Sequence, residues 1–168
     1  MDQTPTSSVD ENAIEASIVI RCPVERVFKF YEDFRNLPSF LGDVKEIEQV
    51  DAATSRWTIH GPLGIQAHWK VSMTAEHGNE FIRYETIAPP GLKTEWEIRF
   101  VPGPIAGETT VREVMRTPLG RLGRLALALI GKLPAKEVSA NLHRLKELME
   151  TGQVTDTRYA VPGKFATH

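Results

Sequence analysis

In Ile65-Gln-Ala-His-Trp-Lys-Val-Ser-Met-Thr-Ala-Glu76, the odd-numbered residues are apolar and the even-numbered residues are polar. Because successive side chains of a strand point to opposite faces, this period predicts a β-strand with one covered face and one wet face. Leu92 to Phe100 repeats the alternation, with its even-numbered residues on the less polar face. Such half-covered strands are typical of antiparallel sheets.

Weaker alternating segments flank these two and predict further strands at residues 14–20, 44–53, 56–60, 80–87 and 108–117. The intervening segments are short and contain the turn-forming residues Gly, Pro, Asn and Ser. Strands spaced this closely leave no room for crossover helices, so the pattern predicts a meander.

Helices are predicted at both ends of this run of strands. Pro23 suits the first turn of a helix with a broad apolar face, and Asn36-Leu-Pro-Ser39 indicates a second short helix ending near Leu41. A long helix is predicted from Ala135 to Thr151 with Gly152 as its stop, and its apolar stripe has helical spacing: Val138, Leu142, Leu145 and Met149. An amphipathic helix and an amphipathic sheet bury their apolar faces against each other. The sequence therefore predicts an α+β fold in which a curved antiparallel sheet wraps around the C-terminal helix.

The bulk composition favours one soluble globular domain. The chain has 168 residues, of which 41% are hydrophobic and 25% are charged. A formal charge of −2 and a pI near 6.2 argue against a nucleic-acid binder. Cys22 is the only cysteine, so an intrachain disulfide is excluded, and a small buried residue is favoured over a nucleophile.

The two ends differ from the middle of the chain. Residues 1–12 are polar without a signal-peptide pattern and are expected to form a disordered leader. Residues 13–152 form the predicted domain, and residues 153–168 lack periodicity, which favours a flexible C-terminal tail. No apolar run reaches the length of a membrane span, so we expect a cytoplasmic protein.

Several strings resemble the START-like superfamily, which includes the polyketide cyclase/dehydrase and lipid-transport group and its coenzyme-Q-binding branch. They include Ile18-Val-Ile-Arg-Cys-Pro-Val-Glu-Arg-Val-Phe28, Asp33-Phe-Arg-Asn-Leu-Pro-Ser-Phe40, Pro118-Leu-Gly-Arg-Leu-Gly123 and Leu142-His-Arg-Leu-Lys-Glu-Leu-Met-Glu150. The resemblance spans about residues 14–152. It implies a β-α-α-β6-α helix-grip fold with a cavity between the sheet and the long helix. Family members include carriers, cyclases and receptors, so the fold alone does not select a function.

Three tryptophans, Trp57, Trp69 and Trp96, fall on the apolar phases of their predicted strands. Each either fills the core or lines a pocket where it stacks on a flat or polyene ligand. A curved sheet offers more concave surface than one helix can fill. We therefore expect at least part of this set, together with Met115, to face a cavity.

Polar side chains on inward phases indicate where a ligand's polar end lies. Thr94 shares the phase of Trp96, and Tyr84 and Glu113 lie on inward phases of their own strands. A buried carboxyl either binds a polar group or keeps its proton, because burial penalises the charged form. A slip of one residue would turn Glu113 outward, and the sequence leaves both phases open.

The segment from Pro118 to Pro134 combines leucines with Arg121, Arg124 and Lys132 and contains three glycines. One interpretation is a mobile lid at Leu119–Leu125, with Leu119 and Leu122 against the ligand, or a patch that touches membranes transiently. The other interpretation is an N-terminal extension of the long helix that packs on the sheet; it is favoured for much of the segment, whereas the lid is favoured for Leu119–Leu125.

No catalytic motif, phosphate loop or convergent metal-ligand set is apparent, and neither a cofactor nor a metal is expected. The first hypothesis is therefore binding or transport of a hydrophobic small molecule such as a lipid, an isoprenoid quinone or a polyketide-like compound. The second is an enzyme of the cyclase/dehydratase type in which Glu113 or Tyr84 moves a proton. The third is a protein-interaction module that uses the exposed face of the sheet.

Overall fold

A computed structural model describes residues 12–129 and 133–165 of the chain. Its seven strands are β1 (Ala13–Ile20), β2 (Val44–Gln49), β3 (Thr54–His60), β4 (Gln66–His77), β5 (Phe81–Thr86), β6 (Glu95–Pro102) and β7 (Thr109–Arg116). Its α-helices are α1 (Val24–Glu32), α2 (Gly120–Leu129) and α3 (Pro134–Thr151), and short 3-10 helices lie at Phe34–Ser39 and Pro62–Gly64.

The strands form one curved antiparallel sheet in the order β1-β7-β6-β5-β4-β3-β2. Strands β2 to β7 follow one another as the predicted meander, and β1 adds to the far edge beside β7. The alternation in β4 and β6 sets this arrangement, since Val71, Ile98 and Phe100 are buried on the concave face. The helix-grip fold predicted from the sequence is confirmed.

The long helix α3 crosses the concave face and packs mainly against β1. Its predicted stripe is buried, with Val138, Leu142, Leu145 and Met149 all at most 9% exposed. Gly152 ends the helix in the left-handed region at φ 77°, and its N–H donates to the Leu148 carbonyl at 2.8 Å. Burial of this stripe against the sheet is the main contact that holds the two layers together.

The first helix closes one end of the concave face. Phe28 of α1 meets Phe100 edge-on at 5.3 Å between ring centroids, and Tyr31 lies 5.8 Å from the same ring. Aromatic pairs at such distances and angles add to the free energy of burial. This end of the sheet is therefore tightly filled.

The segment between β7 and α3 differs from the favoured prediction. Residues 120–129 form the separate helix α2 and not a continuation of α3, while residues 130–132 lie outside the described part. Gly123 is required here, because a Cβ at this position would lie 2.0 Å from the Pro118 carbonyl oxygen.

Residues after α3 fold back on the domain. The buried Arg144 guanidinium donates to the Arg158 carbonyl at 2.6 Å, and the Val161 N–H donates to the Gly42 carbonyl at 3.0 Å. A Cβ at Gly42 would lie 2.7 Å from the Tyr159 carbonyl, so only glycine allows this approach. These contacts differ from those of a loose tail; the extent of its motion, and the leader before residue 12, stay predictions.

No helix within residues 12–129 and 133–165 is long and apolar enough to cross a membrane.

Candidate functional site

Two adjacent hollows lie on the concave side of the sheet. The first, here called the inner chamber, has a volume of about 260 Å³ and lies between the sheet and the first turns of α3. Its walls combine aromatic, aliphatic and acidic residues: Leu41, Asp43, Val44, Trp57, Ile59, Gly61, Ala67, Trp69, Tyr84, Trp96, Glu113, Met115, Pro134, Glu137, Val138 and Asn141.

The second hollow, here called the outer groove, has a volume of about 680 Å³ and opens toward the start of α2. Its walls are mainly apolar: His68, Trp69, Lys70, Thr86, Ile87, Ala88, Leu92, Thr94, Met115, Thr117, Pro118, Leu119 and Gly123. Trp69 and Met115 line both hollows, so the groove adjoins the chamber at these two side chains. A mostly apolar concavity with a few polar groups is the usual form of a small-molecule site.

Stacked aromatic rings form one wall of the inner chamber. The rings of Tyr84 and Trp96 stack at 5.0 Å with an interplanar angle of 16°, and Trp57 lies 6.3 Å from Trp96 at 23°. Tyr84 of β5 and Trp96 of β6 are paired in the register of these neighbouring strands, whereas Trp57 belongs to β3, on the other side of β4. The Trp57 indole N–H is satisfied by the Ser55 hydroxyl at 2.8 Å, which fixes the ring.

Glu113 is the titratable group at the centre of the wall. It pairs with Ala16 of β1 and Ile98 of β6, and this register turns its side chain inward, where it is 5% exposed. Within the described residues, no hydrogen bond or ion pair reaches its carboxyl group. Burial raises the pKa of Glu113 from 4.5 to about 8, because the charged form loses its hydration. The carboxyl group is therefore mainly protonated at neutral pH.

Two tyrosines lie beside this carboxyl group. The hydroxyls of Tyr31 and Tyr84 share a buried hydrogen bond of 3.1 Å. Burial, followed by the nearby Tyr84 and Glu113, raises the pKa of Tyr31, and burial and then Glu113 raise that of Tyr84. The tyrosines stay neutral, so two hydroxyl groups that share a hydrogen bond lie beside a protonated carboxyl group, and none of the three carries a charge at neutral pH.

The structure brings together most of the residues singled out from the sequence. Trp57, Tyr84, Trp96 and Glu113 line the inner chamber, Thr94 and Leu119 line the outer groove, and Trp69 and Met115 line both. Leu122 lines neither hollow and is 74% exposed, because α2 turns it toward solvent. Ile65 and Leu92, expected on covered faces, are also exposed. Both lie outside the sheet, because β4 begins only at Gln66 and β6 only at Glu95.

Sequence reasoning missed four polar residues in or beside the inner chamber: Tyr31, Asp43, Glu137 and Asn141. Tyr31 lies on the apolar face of α1, and its position gave no sign that its hydroxyl meets β5. The other three lie before β2 and at the start of α3, where the chain has no period that assigns a direction to a polar side chain. Their approach to the chamber depends on how α3 crosses the sheet.

Metal binding has no apparent centre in this region. Among the residues that the structure describes, no three His, Cys, Asp or Glu side chains gather as metal ligands. Cys22 is buried and lines neither hollow.

A curved sheet gripping a long helix, with an apolar hollow between them, defines a START-like helix-grip protein. The chain belongs to the family described as polyketide cyclase / dehydrase and lipid transport, which matches residues 12–150. Membership of this family supports binding of a hydrophobic ligand in general. A search of curated proteins finds no match.

Solved structures show the same fold at low sequence identity. A protein from Deinococcus radiodurans has a TM-score of 0.65 and 23% identity over 83% of this chain and 98% of its own. A protein from Thermus thermophilus has a TM-score of 0.63 and 24% identity, covering 80% and 94%. A START superfamily protein from Mycobacterium smegmatis has a TM-score of 0.57 and 15% identity, covering 79% and 98%.

Proposed function

We propose that this protein binds and carries a hydrophobic small molecule, such as a lipid, an isoprenoid quinone or a polyketide-like compound. The observation that carries the proposal is the pair of adjoining hollows, with Trp69 and Met115 between them. The ligand's apolar body lies in the outer groove and along the stacked rings, and its polar end lies near Glu113 and Tyr84. Burial of apolar area supplies the affinity, at roughly 25 cal/mol per Å² before the costs of binding.

Blocking the inner chamber tests this proposal. Ala67 lines the chamber from β4, and Ala67→Phe fills part of its volume. The control is Thr74→Phe, which places the same ring on the exposed face of the same strand. We expect Nile red, a neutral apolar dye, to bind the wild type and Thr74→Phe alike and to bind Ala67→Phe at least about tenfold more weakly. Equal binding by all three proteins would contradict the proposal.

We further propose that loading takes place during transient contact with a membrane surface. Three leucines at the start of α2 support this, because Leu119, Leu122 and Leu125 are 70%, 74% and 61% exposed. Arg121 and Arg124 lie between them in the sequence, and cationic groups beside exposed leucines suit an anionic interface. Location in the cytoplasm and membership of the coenzyme-Q-binding branch stay predictions.

Vesicle binding tests the membrane proposal. Leu122→Ser removes an apolar side chain that lines neither hollow, so ligand binding is preserved. We expect it to lower binding to vesicles of phosphatidylglycerol and phosphatidylcholine by about threefold, whereas Val50→Ser near the edge strand β2 leaves binding unchanged. The same binding by both variants would reject α2 as the contact surface.

A second candidate function is that of a cyclase/dehydratase-type enzyme. The observation in its favour is a buried carboxyl group with a pKa of about 8 beside a tyrosine hydroxyl, an arrangement suited to proton transfer near neutral pH. An enzyme of this kind would show a pH-rate profile with an apparent pKa near 8 that Glu113→Gln abolishes. Without such a profile, the carrier function is preferred.

A further inference from the structure

The acidic residues Asp43, Glu113 and Glu137 are the charged residue types among the described residues that line the inner chamber. Its lining contains no lysine, arginine or histidine within the described part of the chain. Asp43 and Glu137 have other interactions as well. An anionic head entering this space would approach carboxyl groups without meeting a basic partner. The chamber is therefore unsuited to fatty acids and other carboxylates.

Glu113 differs from the other two acids because it is buried and has no partner among the described residues. A carboxylate in this position costs free energy unless it is protonated or pairs with a cation. Since the side chain faces a hollow, a ligand can supply that cation.

The aromatic wall provides a second interaction for the same kind of ligand. The faces of tryptophan and tyrosine rings carry negative potential and attract organic cations within about 6 Å. Trp57, Tyr84 and Trp96 line the chamber together with Glu113. Because Tyr84 and Trp96 stack on each other, a cation would meet a ring face that the stack leaves open. Ring faces and a single buried acid are the groups that recognise protonated and quaternary amines.

We propose that the inner chamber selects hydrophobic ligands with a cationic amine head, and that Glu113 is the counter-charge. This inference rests on the proposed function, because it assigns the head group of the carried ligand. The alkyl or ring portion of the ligand lies in the outer groove, and the amine lies between Glu113 and the stacked rings.

Binding is coupled to one proton. In the empty chamber, Glu113 holds its proton up to a pKa of about 8, and on pairing with the amine it releases this proton to solvent. Affinity for a quaternary amine therefore rises by up to about tenfold per pH unit between pH 6 and 8 and becomes constant above that range. The titratable groups beside Glu113 are Tyr31 from α1 and Tyr84 from β5, and Asp43 before β2 and Glu137 from α3 line the same chamber. Strands β1 and β6 place Ala16 and Ile98 beside it.

Three probes with the same ten-carbon chain test the head-group preference: decyltrimethylammonium, decanol and decanoate. Their affinities are measured by titration calorimetry at pH 8, below their micelle concentrations. The number of protons released is measured at pH 7, in two buffers of different ionisation enthalpy. We expect the ammonium to bind at least about tenfold more tightly than decanoate and to release close to one proton at pH 7. Glu113→Gln should reduce this preference to within about threefold and abolish the proton release. Glu76→Gln, which removes an exposed carboxylate from β4, should retain both.

The possible outcomes separate this inference from the proposed function. Equal binding of the three probes, or tightest binding of decanol, overturns the cationic head and leaves the hydrophobic carrier intact. Failure of all three probes and of Nile red to bind overturns both. The wild-type comparison does not depend on the variants, and circular dichroism verifies that Glu113→Gln is folded.

Discussion

Arg144 and Glu113 are both charged and buried, but their surroundings differ. Arg144 of α3 is 0% exposed and donates to the Phe40 carbonyl at 2.8 Å, the Arg158 carbonyl at 2.6 Å and the Asn141 side chain at 2.6 Å. Glu113 of β7 has no such contact within the described residues. A buried charge with all its hydrogen bonds made stabilises one conformation, whereas a buried acid without them is stable only when protonated or bound to a ligand. The difference separates a structural site from a binding site.

Removing the Arg144 guanidinium should destabilise the protein strongly. Arg144→Met keeps the aliphatic length but leaves the Phe40 and Arg158 carbonyls without their donor, and we expect a loss of about 4 kcal/mol in the free energy of unfolding. Urea denaturation measures this loss. Arg56→Met, which breaks an exposed pair with Glu48 at 3.1 Å, should cost less than about 1 kcal/mol. Similar losses for the two variants would show that Arg144 is not structural.

Removing the Glu113 carboxyl group should have the opposite effect on the free energy of unfolding, because its loss stabilises the protein. Because the pKa of Glu113 is higher in the folded state, the native protein binds the proton more tightly than the unfolded chain does. The protonated Glu113 therefore contributes to the free energy of unfolding. This contribution is fully present below pH 4.5 and is lost as the pH rises to about 8, at up to about 1.4 kcal/mol per pH unit. Glu113→Gln cannot ionise.

We therefore expect Glu113→Gln to be more stable than the wild type by about 2 kcal/mol at pH 8.5, after the cost of burying its amide, and to lose this advantage at pH 5. Urea denaturation at the two pH values, with Glu76→Gln as the control, measures the effect. A variant less stable than the wild type at pH 8.5 would mean that Glu113 has a stabilising partner in its charged form.

The hydrogen bond between the tyrosines has a smaller effect. Tyr31→Phe removes the 3.1 Å contact and leaves the Tyr84 hydroxyl without this partner, which should cost about 1 kcal/mol. Tyr159→Phe, at a half-exposed ring after α3, should change stability by less than about 0.5 kcal/mol. If Tyr31→Phe matched this control, the Tyr84 hydroxyl would have found another partner in the chamber.

The same two residues show how far the sequence determines the site. The alternation in residues 65–76 and 92–100 fixes the sheet, because a period of two with one apolar face has few other solutions. Glu113 lies in a strand where both phases were compatible with the pattern, and its direction is set by pairing with β1 and β6. Nothing in the sequence around Arg144 indicated that its guanidinium is buried. Its hydrogen-bond acceptors are the carbonyls of Phe40 and of residues 156 and 158, which lie in separate parts of the chain.

The ionisation of Glu113 shows whether this acid is buried in a ligand chamber. A carbon-13 NMR titration of glutamate carboxyl groups, with the Glu113 resonance assigned through its loss in Glu113→Gln, should give a pKa near 8 in the empty protein. Saturation with decyltrimethylammonium should lower this pKa by at least about two units, because the bound cation stabilises the carboxylate. A Glu113 that titrates near 4.5, with no change on addition of Nile red or the ammonium probe, would contradict a buried acid in a ligand chamber.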